Sequence, residues 1–304
     1  MKKVSIITVN YNQHQVTEAL LQSVFGTNTY PDIELIVVDN GSKTDPVPRW
    51  RELFPDVHFI RSEENRGFAG GNNIGIQHAT GDYLFLVNND TEFTTGLIQI
   101  LVNVLDDNPA IGIISPKIKY YDQPELLQYA GFTAMNYFTL RNKCIGQFAT
   151  DNPAFDDLTG PTGFAHGAAM MLRKEVTVKA GLMAENFFLY YEEMDWCERI
   201  KRAGYEVWTC TRATIYHKES VSVGKTSPLK EYFMNRNRLL FMRKNGGVIH
   251  KAVFYFYFSL VVIPRNFLRY VMHGRFEYIP IFLRAIWWNL FNNKNSPYLG
   301  YQLN

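Results

Sequence analysis

Short runs of consecutive apolar residues, each ending in a polar cluster, recur through the first third of the chain. Val4–Ser5–Ile6–Ile7–Thr8–Val9 stops at Asn10–Tyr11–Asn12, Glu34–Leu35–Ile36–Val37–Val38–Asp39 at Asn40–Gly41–Ser42, and Leu84–Phe85–Leu86–Val87 at Asn88–Asn89–Asp90. Runs this short and this apolar predict strands buried on both faces. After the first of them Val16, Leu20 and Val24 recur every four residues, the stripe of an amphipathic helix. Val57–Ile60 predicts another short strand, and Asn65–Asn73 a glycine- and asparagine-rich loop that opens a helix through Ile74–Ala79. A helix over Leu97–Leu105 and a strand at Ile111–Ile114 follow. Strands alternating with helices mean βαβ units, so the fold class is α/β with a mainly parallel sheet and Leu84–Val87 at its centre. The carboxyl ends of parallel strands share one edge, so Asn10, Asp39 and Asp90 should converge on one crevice, with the loop Asn65–Asn73 closing over it.

The second half is less regular. Residues 116–160 mix aromatics, Asp and Pro and predict an insertion with short antiparallel strands. Gly163–Leu172 returns to strand character. Phe187–Tyr191 leads into Glu192–Glu193–Met194–Asp195 and a helix through Ile200, and Glu206–Thr209 and Ala213–His217 predict two more strands. After Gly246–Gly247 the run Ala252–Ile263 is apolar, but Pro264–Arg265 ends it short of the length needed to span a bilayer. Arg269, His273 and Arg275 come next, then Ile279–Phe291 with Arg284 and Trp287–Trp288. Arginines and aromatics around short apolar helices predict a peripheral membrane contact through residues 250–291. The alternative is packing on the rest of the chain or at a homodimer interface.

Composition narrows the class. Hydrophobic residues make up 46% and charged residues 20% of the 304, a globular balance. A net charge of +2 gives no reason to expect nucleic acid as a partner. Cys144, Cys197 and Cys210 lack metal-ligand spacing, and a reduced, cytoplasmic setting is the simplest account of them. Met1–Lys2–Lys3 followed by Val4–Val9 is too short for a secretory h-region and reads as a first strand.

The candidate chemistry follows from where the acids fall. Asp90, at the rim of the central strand, suits a divalent cation (Mg²⁺ or Mn²⁺) on a nucleotide-sugar diphosphate, and His217 suits a second ligand. Ordinary turn chemistry at Asn88–Asp90, and a half-buried satisfied histidine at 217, are the alternatives. Glu192, Glu193 and Asp195 offer a base for an acceptor hydroxyl, although acids in a first helical turn also simply complement the macrodipole. Gly67, Gly70, Gly71 and Gly75 do not spell G-x-G-x-x-G and no P-loop lysine is present, which disfavours nicotinamide cofactors and P-loop ATPases. Asn and Gly beside Arg66 remain suited to ribose and diphosphate contacts.

Five segments in order carry a resemblance: V-S-I-I-T-V-N-Y-N at 4–12, V-V-D-N-G-S at 37–42, N-R-G-F-A-G-G-N-N at 65–73, Asn88–Asp90, and Y-E-E-M-D-W-C-E-R at 191–199. Together with Asn235–Arg236–Asn237 the chain resembles family-2 inverting glycosyltransferases of the GT-A fold, especially the rhamnosyltransferase-like branch. The resemblance implies a GT-A catalytic domain over 1–245, with a nucleotide-binding half (1–115) and an acceptor-binding half (116–245), and a helical extension over 246–304. It implies Thr8, Asn10, Asp39, Asn65, Gly67 and Asn89 at the nucleotide, and Asp90 with His217 at a metal. It further implies Glu193 as the base flanked by Glu192 and Asp195, and His166–Gly167 on the acceptor side. Two positions depart from the pattern: Asn88 and Asn89 are neutral where an acid is common, and Glu193 stands where Asp is usual. The implied reaction is metal-dependent inverting transfer from a dTDP- or UDP-sugar to a glycan or lipid-linked glycan. A sugar-nucleotide pyrophosphorylase is disfavoured, because Asn10–Gln13 replaces the expected Gly- and Lys-containing loop, and an inactive nucleotide-sugar-binding protein is the non-enzyme alternative. The setting is the cytoplasm, with a peripheral position on the cytoplasmic face of the membrane if the tail binds lipid.

Overall fold

The computed structural model of the chain describes residues 1–218 and 227–302. Its elements in order are β1 (Val4–Asn10), α1 (His14–Thr27), β2 (Ile33–Asn40), α2 (Val47–Leu53), β3 (His58–Ser62), α3 (Gly67–His78), β4 (Tyr83–Asn88), β5 (Thr91–Glu92), α4 (Leu97–Asp107), β6 (Ile111–Tyr120) and β7 (Leu127–Tyr129). Then come β8 (Gly160–Pro161), β9 (Ala169–Arg173), α5 (Lys174–Ala180), α6 (Glu192–Arg202), β10 (Glu206–His217), α7 (Pro228–Asn245), α8 (Val248–Tyr257), α9 (Ile263–Met272) and α10 (Tyr278–Phe291).

The strands form one sheet in the order β3-β2-β1-β4-β9-β6-β10-β5, with β4 near its middle as the apolar run 84–87 predicts. Strands β1 to β4 run parallel, and β9 enters antiparallel between β4 and β6, so the sheet is mixed. Continuous apolar runs are required because both faces are covered. Ile6, Leu35, Val37, Phe85 and Val87 point to α1, α2 and α4, and pack on Leu20, Trp50 and Leu101. Their neighbours Ile7, Ile36, Val38, Leu84 and Leu86 point to α3, α5 and α6, and pack on Ile76, Val176 and Trp196. Period-two alternation between two equally apolar faces is what a sandwiched sheet needs.

Four expectations are corrected. Residues Gly67–Asn73 are not a loop: α3 begins at Gly67, and its glycines let it lie directly on β1. A Cβ on Gly71 would sit 2.7 Å from Val9 Cγ1, and one on Gly75 would collide with Ile7. Composition reads such a stretch as a loop, whereas close packing decides that it is a helix. The strands at 206–209 and 213–217 are one strand, β10, carried through a register shift between Cys210 and Thr214 that acts as a bulge. Strand structure at 163–172 is confined to Ala169 onward.

The fourth correction concerns the tail. Pro264 does not end the helix; Val248–Met272 is an uninterrupted helical run whose most apolar 18-residue window has a mean hydropathy of 1.3, long and apolar enough to cross a membrane by length and composition alone. Proline would clash with the carbonyl four residues back, and a widened π-type turn over Phe258–Val262 absorbs the misfit. One side of this helix (Phe254, Phe258, Val262, Asn266, Tyr270) packs on α7 and α10 and is buried. The other side leaves Phe256, Leu260, Leu268 and Met272 exposed.

Candidate active site

The parallel register brings the strand ends level, pairing Asn10 with Asp39 and Val9 with Asn88. Asn10 Nδ2 donates to Asp39 Oδ1 (2.7 Å) and Ser42 Oγ, and Asn10 Oδ1 accepts from Thr17 Oγ1 (3.0 Å). Thr17 Oγ1 in turn accepts from Asn89 Nδ2 at 3.0 Å. Asp39 of β2, Asn10 of β1, Thr17 of α1 and Asn89 of the turn between β4 and β5 therefore form one hydrogen-bonded chain under the site. Asn10 and Asp39 have no exposure and Thr8 has 1%, and Arg61 Nη1 ion-pairs Asp39 at 2.6 Å. Asn65, Gly67 and Asn89 instead line a cavity of about 780 Å³ above them, together with Asn88, Asp90, His166 and His217. Asn40 orders its wall: Nδ2 donates to Asn65 Oδ1 and the Gly67 carbonyl, while Oδ1 accepts from Arg66 N. Thr17 does not stand out among the polar residues of its helix, and Asn40 reads in the sequence only as part of the turn Asn40–Gly41–Ser42.

Asp90 and His217 meet although they are far apart in the chain. Thr91 of β5 pairs with His217 of β10, and Lys218 N donates to the Asp90 carbonyl (2.9 Å). His217 Nε2 lies 3.1 Å from Asp90 Oδ1, yet neither atom has a hydrogen-bond partner among the described residues. Gln128 Oε1, 2.7 Å from His217 Nδ1, holds the ring by its other nitrogen. A ring whose Nδ1–H donates to Gln128 turns the lone pair of Nε2 toward the carboxylate, the arrangement used to orient a metal-ligating imidazole. Two orphaned electron-rich atoms at this spacing fit a divalent cation. Among the described residues no group of three or more His, Cys, Asp or Glu forms a complete cage, so the remaining ligands must come from substrate or water.

The acids of α6 sit on a segment of unusual backbone. Phe188, Tyr190 and Tyr191 have φ of 66°, 71° and 73°, a left-handed conformation costly for bulky residues. The conformation persists because Asn237 Nδ2, in α7, lies 2.8 Å from the carbonyls of Phe187, Leu189 and Tyr190. Arg236 Nη1 fixes that amide by donating to Asn237 Oδ1 (2.7 Å) and stacks 3.9 Å over the Trp288 ring of α10. The tail thus supports the loop that aims α6. Replacing Asn237 by Ala strips three carbonyls of their donor. We expect a loss of about 1–3 kcal/mol in stability and at least a tenfold fall in kcat with nucleotide Kd unchanged, read by melting and steady-state kinetics. Unaltered kcat in a folded Asn237→Ala variant refutes the positioning role.

The three acids have different surroundings. Asp195 is committed to structure: Oδ2 accepts from Arg199 Nε (2.9 Å) and Oδ1 from Asn245 Nδ2 (2.8 Å). Glu192 is buried with Oε2 unpartnered, and burial reinforced by the Glu193 charge holds its carboxyl well above the usual range. Glu193 is partly open, and burial pushes it up to about 6 despite backbone N–H donors at the helix start. Glu193 is therefore the ionised, moderately basic member of the pair at neutral pH.

Residues 166 and 167 connect the two ends of the site. A Cβ at Gly167 would touch Glu193 Cδ at 3.9 Å, and the His166 ring centroid is 6.4 Å from that of His217. His166 Nδ1 accepts from Ala168 N, and burial with His217 nearby drops its pKa to about 3, so the ring stays neutral.

The chain resembles known proteins in sequence and in fold. Residues 5–178 match the family model described as glycosyl transferase family 2. The low-salt glycan biosynthesis hexosyltransferase Agl10 of Haloferax volcanii is 27% identical over 283 residues, covering 90% of this chain and 87% of that protein. An N-acetylglucosaminyl-diphospho-decaprenol L-rhamnosyltransferase of Mycobacterium tuberculosis is 22% identical, covering 72% of this chain and 77% of its own. The crystal structure of GalNAc-T7 with UDP, GalNAc and Mn²⁺ superposes with a TM-score of 0.65 at 15% identity, covering 80% of this chain and 48% of that one. The fold is GT-A, and with more than half its length matched to the family model the chain belongs to glycosyl transferase family 2 and is a glycosyltransferase.

Proposed function

We propose that the chain transfers a sugar from a nucleoside-diphosphate donor (UDP- or dTDP-linked) to a hydroxyl of a glycan or lipid-linked glycan, with inversion. The observation that carries this is the cavity lined by Asp90, His217 and His166, with Asp90 Oδ1 and His217 Nε2 orphaned, and Glu193 lying beside Gly167, the residue that follows His166. The nucleotide lies over Asn65, Gly67 and Asn89, above the buried network of Thr8, Asn10 and Asp39. Asp90 Oδ1 and His217 Nε2 would hold a divalent cation beside the donor's diphosphate, and GalNAc-T7 was solved with Mn²⁺. A cation bound there supplies charge neutralisation for the leaving nucleoside diphosphate.

Glu193 accepts the proton of the acceptor hydroxyl, whose oxygen attacks the anomeric carbon from the face opposite the leaving group. Glu192, held protonated, leaves Glu193 as the carboxylate that takes this proton. The neutral ring of His166, its Nδ1 engaged by Ala168 N, lines the cavity with Nε2–H as its remaining donor and orients the acceptor. Residues 1–245 serve as the catalytic unit and 246–304 as an extension that braces it and meets the membrane on its cytoplasmic face.

A thermal-shift screen of nucleoside diphosphates and their sugars tests the donor end. A matching uridine or thymidine diphosphate at ~100-fold over its Kd, with Mn²⁺ present, should raise the melting temperature by about 5 °C. The same compound in excess chelator should give little shift. A shift independent of cation overturns the metal assignment, and no shift with any nucleotide overturns the donor class.

A further inference from the structure

A second cavity of about 350 Å³ lies where α7 meets the Val248–Met272 helix, and nothing in the transfer reaction described above uses it. Its lining carries Lys230, Arg238, Arg265 and Arg269 against one acid, Glu231. That acid is already engaged, accepting from Arg269 Nη2 (3.3 Å), Asn235 Nδ2 (2.8 Å) and the Tyr270 hydroxyl. Among the described residues Lys230, Arg238 and Arg265 form no ion pair, and the buried Arg238 Nε has no hydrogen-bond partner. Three guanidinium groups and an ammonium around one already engaged carboxylate leave the pocket with excess positive charge, a donor set that multiply charged phosphate oxygens match.

Position adds chemistry to charge. Ser227 and Lys230 line both this pocket and the larger cavity, and Tyr191, immediately before Glu192, forms part of its wall. On the other side Arg265 and Arg269 sit on the same helix as the exposed Leu260, Leu268 and Met272, which are 59%, 60% and 72% exposed. Beyond the pocket Trp287, Leu290 and Phe291 of α10 are also exposed. A ligand that satisfies both features has a doubly charged head and a long hydrocarbon tail, and must leave its far end at the Glu193 loop.

We propose that this pocket is the acceptor's anchor: it takes the diphosphate of a lipid-linked sugar, the hydrocarbon runs along the apolar face of Val248–Met272, and the sugar beyond the diphosphate reaches Glu193. The proposal rests on the glycosyl-transfer reading and specifies its acceptor class. No bond is made or broken at the diphosphate itself, which stays with the acceptor throughout.

The test is vesicle co-sedimentation of the full chain, without donor. Phosphatidylcholine vesicles carrying undecaprenyl diphosphate are compared with vesicles made equally negative by phosphatidylglycerol, and inorganic pyrophosphate is added as a competitor. The expected result is at least tenfold tighter binding to the diphosphate vesicles, abolished as a preference in Arg265→Ala/Arg269→Ala and partly restored in Arg265→Lys/Arg269→Lys. Both arginines are exposed; should the double variant misfold by circular dichroism, Lys230→Ala reads the same preference. Equal binding to the two anionic vesicles overturns the proposal in favour of general lipid charge, and an unchanged preference in the variants places the diphosphate elsewhere. Pyrophosphate binding without vesicle recruitment overturns the lipid source. Because no turnover is measured, a failure here leaves Glu193-dependent transfer standing, and a failure of the Glu193 prediction leaves the vesicle result standing.

Discussion

Glu193→Gln is expected to lower transfer by about 10³-fold, inside the range that positioned general bases contribute, while nucleotide affinity changes less than twofold. Gln keeps the volume and the hydrogen-bonding reach of the side chain and removes only its capacity to take a proton. The pH profile supplies a second, independent reading. Burial pushes Glu193 up to about 6; a base works only when deprotonated, so kcat/KM should be flat above about pH 7. It should fall tenfold per unit as pH drops below 6. Ionisation of Glu192 is held off by burial and by its neighbour's charge, so Glu192→Gln should retain transfer and leave that acidic limb near 6, because a neutral Glu192 exerts no charge on Glu193, which burial alone pushes up. A Glu193→Gln enzyme with more than a tenth of wild-type activity, or a profile lacking a limb near 6, removes the assignment.

Asp90→Ala should weaken nucleoside-diphosphate binding in Mn²⁺ by at least about tenfold, the scale on which altered metal shells cost affinity, and should leave binding in chelator unchanged. The reason is the pairing of two atoms without other partners, Asp90 Oδ1 and His217 Nε2, at 3.1 Å. Removing the carboxylate leaves the imidazole as the single protein ligand. Gln128→Ala should produce a smaller loss of the same kind, because Gln128 only orients the His217 ring through Nδ1. Calorimetry showing equal affinity for wild type and Asp90→Ala in Mn²⁺ refutes the site, and equal losses with and without cation would mean that Asp90 contacts the nucleotide directly.

The tail combines packing with an exposed apolar surface. Packing on the rest of the chain and an exposed apolar surface are not alternatives here: opposite faces of Val248–Met272 provide each. The packed face reaches the active site through Trp288, Arg236 and Asn237.

What could be read from the chain alone was whatever leaves a local signature. The continuous apolar runs of β1, β2 and β4 report burial on both faces, and the polar residues that end them mark the edge where Asn10, Asp39 and Asp90 gather. The acids in the first turn of α6 were likewise visible as a cluster at a helix start. Tertiary structure decided the rest: that glycines 71 and 75 are a packing face rather than a loop, that a bulge joins 206–209 to 213–217, and that Asp195 is spent on Arg199 and Asn245. It decided too that Asn237 restrains a left-handed turn fifty residues away, and that His217 closes on Asp90. Each of these depends on which distant side chains come within a few ångströms, and a contact across the fold leaves no periodicity, turn residue or cap in the sequence on either side of it.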